Sequence, residues 1–194
     1  MGHRSDYVEL TARSCFSFLQ GASAPEWLVE RAAGHGYDAI ALTDRDGLYG
    51  AVRAFEEAKN KNVRLILGAE LTIMDPNAPV GAPFSTLTVL VEDRTGYTNL
   101  CRILTKSHAL WPKSKPKESE PGRPKNVFAG IGLDEVCANA EGLWPVIHLE
   151  TKPEARWPGG LTDEAIARSV KEAFGARASL ALHRHLVGDD RARA

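Results

Sequence analysis

Paired cysteines are missing from this chain. Its three, Cys15, Cys101 and Cys137, stand far apart with no close spacing, which argues against a disulfide framework or a zinc ribbon and points to a reducing, cytoplasmic setting. Long apolar runs are missing as well. Nothing approaches the roughly 20 apolar residues of a spanning helix, and residues 1 to 20 hold no signal-peptide stretch, so membrane insertion is not expected. Neither sign of charge is in excess: 24 basic residues face 25 acidic ones, so any nucleic-acid contact has to be local. What is present is ordinary. With 43% apolar and 25% charged residues, the 194-residue chain has material for one sizeable core and reads as one domain over 1–194.

The most informative stretch runs from Tyr37 to Gly50. Ala39 to Leu42 is a short apolar run after the helix stop Gly34-His35-Gly36, and Thr43, Asp44, Arg45 and Asp46 follow it. An apolar run bounded by turn signals reads as a buried strand, so these carboxylates stand where a strand ends. In sheets and barrels of strand-helix repeats that edge carries the chemistry, because loops converge there over a rigid base.

The rest of the chain alternates strands and helices. Tyr7 to Leu10 reads as a first strand, and Thr11 to Leu19 as loop. Ser23-Ala24-Pro25-Glu26 has the pattern of a capping box, opening a helix whose inner face is Ala24, Leu28 and Ala32 with Trp27 beside them. Ala51, Val52, Phe55 and Ala58 recur at helical spacing, and Asn60 and Asn62 close that helix. Val63 to Leu67 is a second buried strand leading into Gly68-Ala69-Glu70, which places another carboxylate at a strand end. Asp75 to Pro83 is a loop. Thr86 to Val91 is rich in β-branched residues and reads as a strand, followed by a helix with Tyr97, Leu100, Cys101, Leu104 and His108 along one face.

Composition changes over residues 106–125. Lys106, Lys113, Lys115, Lys117, Arg123 and Lys125 are interleaved with prolines, serines and Trp111. A basic, proline-rich surface loop is expected, either a nucleic-acid contact through its lysines or a solvated connector diluted by Glu118 and Glu120. Gly142 to His148 reads as a further strand that Pro145 pushes towards an edge or an irregular segment. Thr162 caps a helix carrying Ile166, Val170 and Phe174 and stopped by Gly175; Leu180 to Leu186 returns as a strand in which His183 and His185 share a side. Those imidazoles are either a metal pair or polar outward-facing residues.

Five separated motifs then combine. Residues Glu9-Leu10-Thr11-Ala12-Arg13-Ser14-Cys15-Phe16-Ser17-Phe18-Leu19-Gln20-Gly21-Ala22-Ser23, then Ala41-Leu42-Thr43-Asp44-Arg45-Asp46-Gly47-Leu48-Tyr49-Gly50 with Gly68-Ala69-Glu70, then Gly96-Tyr97-Thr98-Asn99-Leu100 and Leu182-His183-Arg184-His185-Leu186 stand in a fixed order. Together they resemble the polymerase and histidinol phosphatase (PHP) domain. More narrowly, they resemble the N-terminal PHP domain of bacterial error-prone DNA polymerases, relatives of the DNA polymerase III alpha subunit. The resemblance implies an α/β fold, a distorted barrel of seven parallel-type strand-helix units, with up to three metal ions at its C-terminal edge. In active members such metals activate water for phosphoester hydrolysis, held about 3.5 to 4 Å apart by imidazoles and carboxylates.

Carried over position by position, that ligand set is largely lost. The paired histidines of the first motif fall on Thr11 and Arg13, the acid that follows on Gln20, the histidine after Thr-Asp on Arg45, and the histidine opening the next strand on Thr86. Glu70 keeps a ligand identity, Asp44 matches as an acid that either supports the ligands from behind or forms the turn, and His148 falls close to a further ligand position. Two guanidiniums in place of imidazoles repel cations by about 4 kcal/mol per unit of metal charge at 4 Å and an effective dielectric of 20. Arg13 and Arg45 are therefore expected to pair with Asp44 and Glu70, or to form a phosphate pocket.

The leading expectation is a non-catalytic PHP module of an error-prone, translesion-type polymerase acting in DNA replication and repair. It needs no cofactor, lacks proofreading at this domain, and has the remainder of a polymerase, and DNA, as partners. No polymerase domain lies in this chain, whose barrel is expected to be incomplete at the C-terminus, with an exposed edge that favours self-association. Two alternatives stand beside it. One is a stand-alone zinc- or manganese-dependent phosphoesterase using Glu70, His148, His183 and His185. The other is a DNA-binding module acting through Lys113, Lys115, Lys117, Arg123 and Lys125.

Overall fold

The computed structural model describes residues 7–75, 85–109, 130–148 and 161–181. In chain order its elements are β1 (Glu9–Ala12), α1 (Pro25–Gly34), β2 (Ala39–Leu42), α2 (Ala51–Lys61), β3 (Arg64–Met74), β4 (Ser85–Val91), α3 (Arg94–Ala109), β5 (Ile131–Gly132), α4 (Leu133–Ala138), β6 (Leu143–His148), α5 (Asp163–Phe174) and β7 (Ser179–Ala181). The strands form one sheet in the order β1-β2-β3-β4-β6-β7, with β5 beside the far end of β3. It is a mixed α/β half-barrel: β1/β2, β2/β3, β3/β5 and β6/β7 are parallel, but β3/β4 and β4/β6 are antiparallel. The all-parallel character expected above therefore fails in the middle of the sheet. Among the described residues no pairing joins β7 to β1.

The central strand is β3, and it is longer than its apolar run implied. Arg64 to Leu67 pair with β2, and Gly68 to Ile73 pair with β4. At the switch point a Cβ on Gly68 would lie 2.5 Å from the Val89 carbonyl oxygen, so only glycine lets the two backbones close. Glu70 consequently stands inside a strand rather than at its end.

Strand periodicity sorts β3 into two faces. Ala69, Leu71 and Ile73 enter the main core with Leu87, Val89, Leu143 and Ile147, under Leu100, Ile103 and Leu104 of α3 and Ile166, Val170 and Phe174 of α5. Glu70 and Thr72 turn to the other, concave face. There a small apolar layer of Ala41, Leu90 and Val146 fills the bottom. A third cluster packs Val29 and Ala32 of α1 and Ala54 and Ala58 of α2 against Ile40 and Leu42.

Several helix and strand details differ from the sequence reading. β1 begins at Glu9, two residues after the expected start. α1 is preceded by Ala24 in extended conformation with no side-chain cap, so the capping box at Ser23 is not made. Its buried face is Pro25, Val29 and Ala32, and Trp27 is exposed. In α2 the buried residues are Ala54 and Ala58, while Val52 and Phe55 face solvent: the small alanines allow close helix packing that bulky side chains do not. In α3 the buried stripe is Leu100, Ile103, Leu104 and Ser107, one position round from the expected face, and Tyr97 is exposed.

Pro145 does not mark an edge. It lies opposite Val89 within β6, just before pairing with β7 begins at Val146. Lys106 belongs to α3, not to a loop. Thr162 does cap α5, accepting from the Ala165 N–H, and Gly175 ends that helix with φ +61. The remaining basic residues Lys113, Lys115, Lys117, Arg123 and Lys125, the loop after Asp75, and His183 and His185 lie outside the described residues.

Candidate functional site

The concave face carries a polar cluster above its apolar floor, built by the turn after β2 and the middle of β3. Asp44 is 1% exposed and fully engaged by neutral donors. Its Oδ1 accepts from the Ser14 backbone N–H and the Ser17 hydroxyl, both at 2.7 Å, and its Oδ2 accepts from the Ser14 hydroxyl at 2.8 Å. The Ser17 hydroxyl in turn accepts from the Arg45 N–H at 3.0 Å. Asp44 thus staples the loop after β1 to the turn after β2, and among the described residues the ion pairs of Arg13 and Arg45 go to Glu70 and Asp46 rather than to Asp44.

Both arginines converge instead on Glu70, which is 3% exposed. Arg13 Nε lies 2.5 Å from Glu70 Oε2, and Arg45 Nη1 lies 3.6 Å from Oε1. Oε2 has no aligned hydrogen bond, so its compensation is ionic. Burying a carboxylate without a nearby cation costs several kcal/mol, which is the physical reason for guanidiniums here. The Arg45 Nε and Nη2 also donate to the Thr72 hydroxyl at 3.2 and 3.0 Å, fixing the guanidinium plane.

Asp46 completes the cluster in a left-handed conformation, φ +47, uncommon for a residue with a side chain. The turn is held on both sides: the Asp46 N–H donates to the Glu70 carbonyl at 2.9 Å and the Glu70 N–H to the Asp44 carbonyl at 3.1 Å. Its carboxylate accepts from the Thr72 N–H at 2.7 Å and the Thr72 hydroxyl at 2.6 Å. Burial pushes the Asp46 carboxyl above its ordinary range, against the opposing pull of those hydrogen bonds, Arg45 and His108. His108 Nε2 lies 2.7 Å from the Asp46 carbonyl oxygen, and since a carbonyl only accepts, that nitrogen carries the proton.

The sequence-named positions separate into two groups. Arg13, Asp44, Arg45 and Glu70 meet. Thr86 lies across from Thr72 on β4. His148, at the end of β6, has its Nε2 3.0 Å from the Thr88 hydroxyl, and Thr88 is opposite Glu70 in the sheet. Thr11 turns aside, its N–H and hydroxyl both donating to Glu9 Oε1. Gln20 is exposed in the loop. Sequence reasoning missed Ser14, Ser17, Thr72, Thr88 and the contact of His108. The serines had a signal in their three-residue spacing beside a motif; Thr72 had none beyond its two-residue offset from Glu70.

Among the described residues, the charged groups that lie against Glu70 are the guanidiniums of Arg13 and Arg45. Among the described residues no group of three or more His, Cys, Asp or Glu is arranged to hold a metal ion. A guanidinium donates and never accepts, so this donor set does not fit a cation cluster. No helix of the described residues is long and apolar enough to cross a membrane.

Comparison with known proteins agrees with the fold. An error-prone DNA polymerase from Anaeromyxobacter sp. (strain K) is 42% identical over 195 residues, covering 100% of this chain and 15% of the relative. One from Mycolicibacterium paratuberculosis is 40% identical over 189 residues, 92% of this chain and 16% of the relative. This chain thus spans about a sixth of the length of these relatives. Among solved structures, a predicted metal-dependent phosphoesterase from Bifidobacterium adolescentis superposes with a TM-score of 0.64 at 18% identity, over 96% of this chain and 80% of that one. An amidohydrolase from Chromobacterium violaceum, with bound sulfate and no metal, gives 0.54 at 18% identity, over 89% and 75%. The PHP domain model matches residues 9–157. The chain belongs to the PHP domain family.

Proposed function

We propose that this chain is the PHP module of an error-prone, translesion-type DNA polymerase of the C family, serving DNA replication and repair as a structural support with no hydrolytic activity of its own. One observation carries this reading: Arg13 and Arg45 both lie against the buried Glu70 carboxylate, at 2.5 and 3.6 Å. Their positive charge compensates Glu70 where a divalent cation would otherwise do so. A metal entering beside them meets repulsion of about 4 kcal/mol per unit of metal charge from each guanidinium at 4 Å, and finds the Asp46 carboxylate already taken by Thr72.

The likeness to error-prone polymerases over the whole chain supports the polymerase setting. A stand-alone phosphoesterase draws on His148, which shares the concave face with Glu70, but its Nε2 is engaged with Thr88.

The test is a reversal. Arg13→His with Arg45→His removes both guanidiniums and supplies two imidazoles beside Glu70. The proposal expects the double variant to bind zinc, by calorimetry, where the parent chain shows no binding. Equal zinc affinity for parent and variant contradicts it, as does chelator-sensitive hydrolysis of a phosphoester by the parent chain.

A further inference from the structure

Sequence periodicity makes Val52 and Phe55 look like core residues, yet the structure turns them outward. At about 100° per residue they sit roughly 110° round α2 from the buried Ala54 and Ala58. Val52 is 68% exposed and Phe55 54%, and Tyr49, one turn earlier, is 61% exposed. The stripe continues beyond the helix: the Phe16 ring lies 6.4 Å from that of Tyr49. Phe18 and Leu19, in the loop that carries Phe16, are 83% and 88% exposed.

The loop that presents these side chains is built rather than slack. The Ser17 N–H donates to the Ser14 carbonyl, the Gln20 and Gly21 N–H groups donate to the Ser17 carbonyl, and the Cys15 N–H donates to the Ser23 carbonyl, all between 2.8 and 2.9 Å. Leu19 holds a left-handed backbone, φ +61, an unfavourable conformation for a leucine that this closed loop maintains. Exposed apolar side chains gathered on an ordered scaffold mark an interaction site.

Charge around the stripe selects the kind of occupant. Arg53 contacts Glu26. Lys61 lies 3.6 Å from Glu30 and 3.5 Å from Glu57, and Lys59 Nζ sits 5.7 Å over the Phe55 ring. Arg53 and Lys61 are thus paired with carboxylates and Lys59 lies over a ring, which leaves little free positive charge here for a phosphate backbone, although exposed aromatics alone would suit stacked bases. An apolar polypeptide surface is the complement that remains. The relatives carry about five-sixths of their length outside the stretch matched by this chain.

We infer that the Phe16–Tyr49–Val52–Phe55 stripe, with Phe18 and Leu19, is the docking surface for the polymerase portion lying outside the matched segment, an inference that rests on the polymerase reading above. The experiment compares the free 194-residue chain with a chimera carrying it in place of the matched segment of the Anaeromyxobacter sp. (strain K) polymerase. Hydroxyl-radical footprinting reads the side chains directly. Tyr49 and Phe55 are expected to be oxidised freely in the isolated chain and protected several-fold in the chimera. Val52→Asp with Phe55→Asp is expected to restore oxidation of Tyr49 and Phe16 in the chimera while leaving the melting temperature of the free chain unchanged.

Equal oxidation of Tyr49 in the free chain and the chimera overturns the inference. So does protection that appears in the free chain on raising its concentration, which assigns the stripe to a second copy, or on adding a single-stranded DNA oligonucleotide. Zinc content measured on the same chimera keeps the two proposals apart: metal beside Glu70 sinks the scaffold reading, whereas an unprotected Tyr49 sinks only the docking surface.

Discussion

Arg13 Nε stands 2.5 Å from Glu70 Oε2, so a half-buried guanidinium from the loop after β1 holds the charge of a carboxylate buried in the middle of β3. Arg45 approaches the same carboxylate from the turn after β2 and is the more buried of the two, its side chain 17% exposed against 34% for Arg13. Three strands that are separate in sequence are thereby tied through one buried charge.

The two arginines are expected to contribute unequally. Arg45→Ala strips one cation from Glu70 and also leaves the Thr72 hydroxyl without two donors, and should cost about 3 kcal/mol. Arg13→Ala, at the more hydrated position, should cost roughly 1 to 2 kcal/mol after allowance for solvent screening. Urea unfolding of both variants checks the order. A larger loss for Arg13→Ala contradicts the placement of the two side chains.

Asp46 gives a pH signature. Its folded carboxyl titrates above the ordinary value because burial disfavours the charged form, with Arg45 and His108 the facing charges that oppose the shift. The folded state therefore holds this proton more tightly than the unfolded chain. The resulting stability is fully present below the ordinary carboxylate range and is lost as pH rises through the raised folded value. Asp46→Asn should abolish that loss, so its stability relative to the parent improves from acidic to neutral pH. Unfolding free energies of parent and variant across that range decide it, and a pH-independent difference contradicts the assignment.

Ser14 and Ser17 are expected to matter as much as core residues despite their size. Each donates to the buried Asp44 carboxylate, and a hydrogen bond to a charged group contributes about 1.5 to 3 kcal/mol. Ser17→Ala should lose about 2 kcal/mol and loosen the loop over 15–20, read by faster amide exchange at Gln20 and Gly21. Unchanged exchange there contradicts the stapling role of Asp44.

Close backbone approach predicts a severe glycine effect far from the site. A Cβ on Gly96 at the start of α3 would stand 1.7 Å from the Gly142 carbonyl oxygen in the turn before β6. Gly96→Ala must push those elements apart and should cost roughly 1 to 3 kcal/mol or more, as overpacking does. A thermal melt within a degree of the parent contradicts the contact.

Apart from β5 and α4, which the sequence reading passed over, the order of elements was legible because apolar runs and glycine stops are local signals, and the cap at Thr162 and the stop at Gly175 follow from chemistry confined to a few residues. What it hid was tertiary. The antiparallel pairings of β4 depend on where β3 passes close at Gly68, which no periodicity encodes. The faces of α2 and α3 were read only in part: Ala58, Leu100 and Leu104 are buried as expected, but the burial of Ala54 and Ser107 is set by the neighbouring elements, not by side-chain hydrophobicity. In the site, motif alignment brought Arg13, Arg45 and Glu70 together correctly. It assigned Asp44 an arginine partner, when the structure supplies Ser14 and Ser17 from a loop whose path the sequence does not reveal.

Whether guanidiniums have replaced cations is decided most directly by the metal content of the purified chain. After expression in medium supplemented with zinc and manganese, followed by desalting at neutral pH, elemental analysis should find neither metal in stoichiometric amount. Stoichiometric zinc or manganese that is lost from Glu70→Gln would show that the concave face still houses a metal centre and that Arg13 and Arg45 do not exclude it.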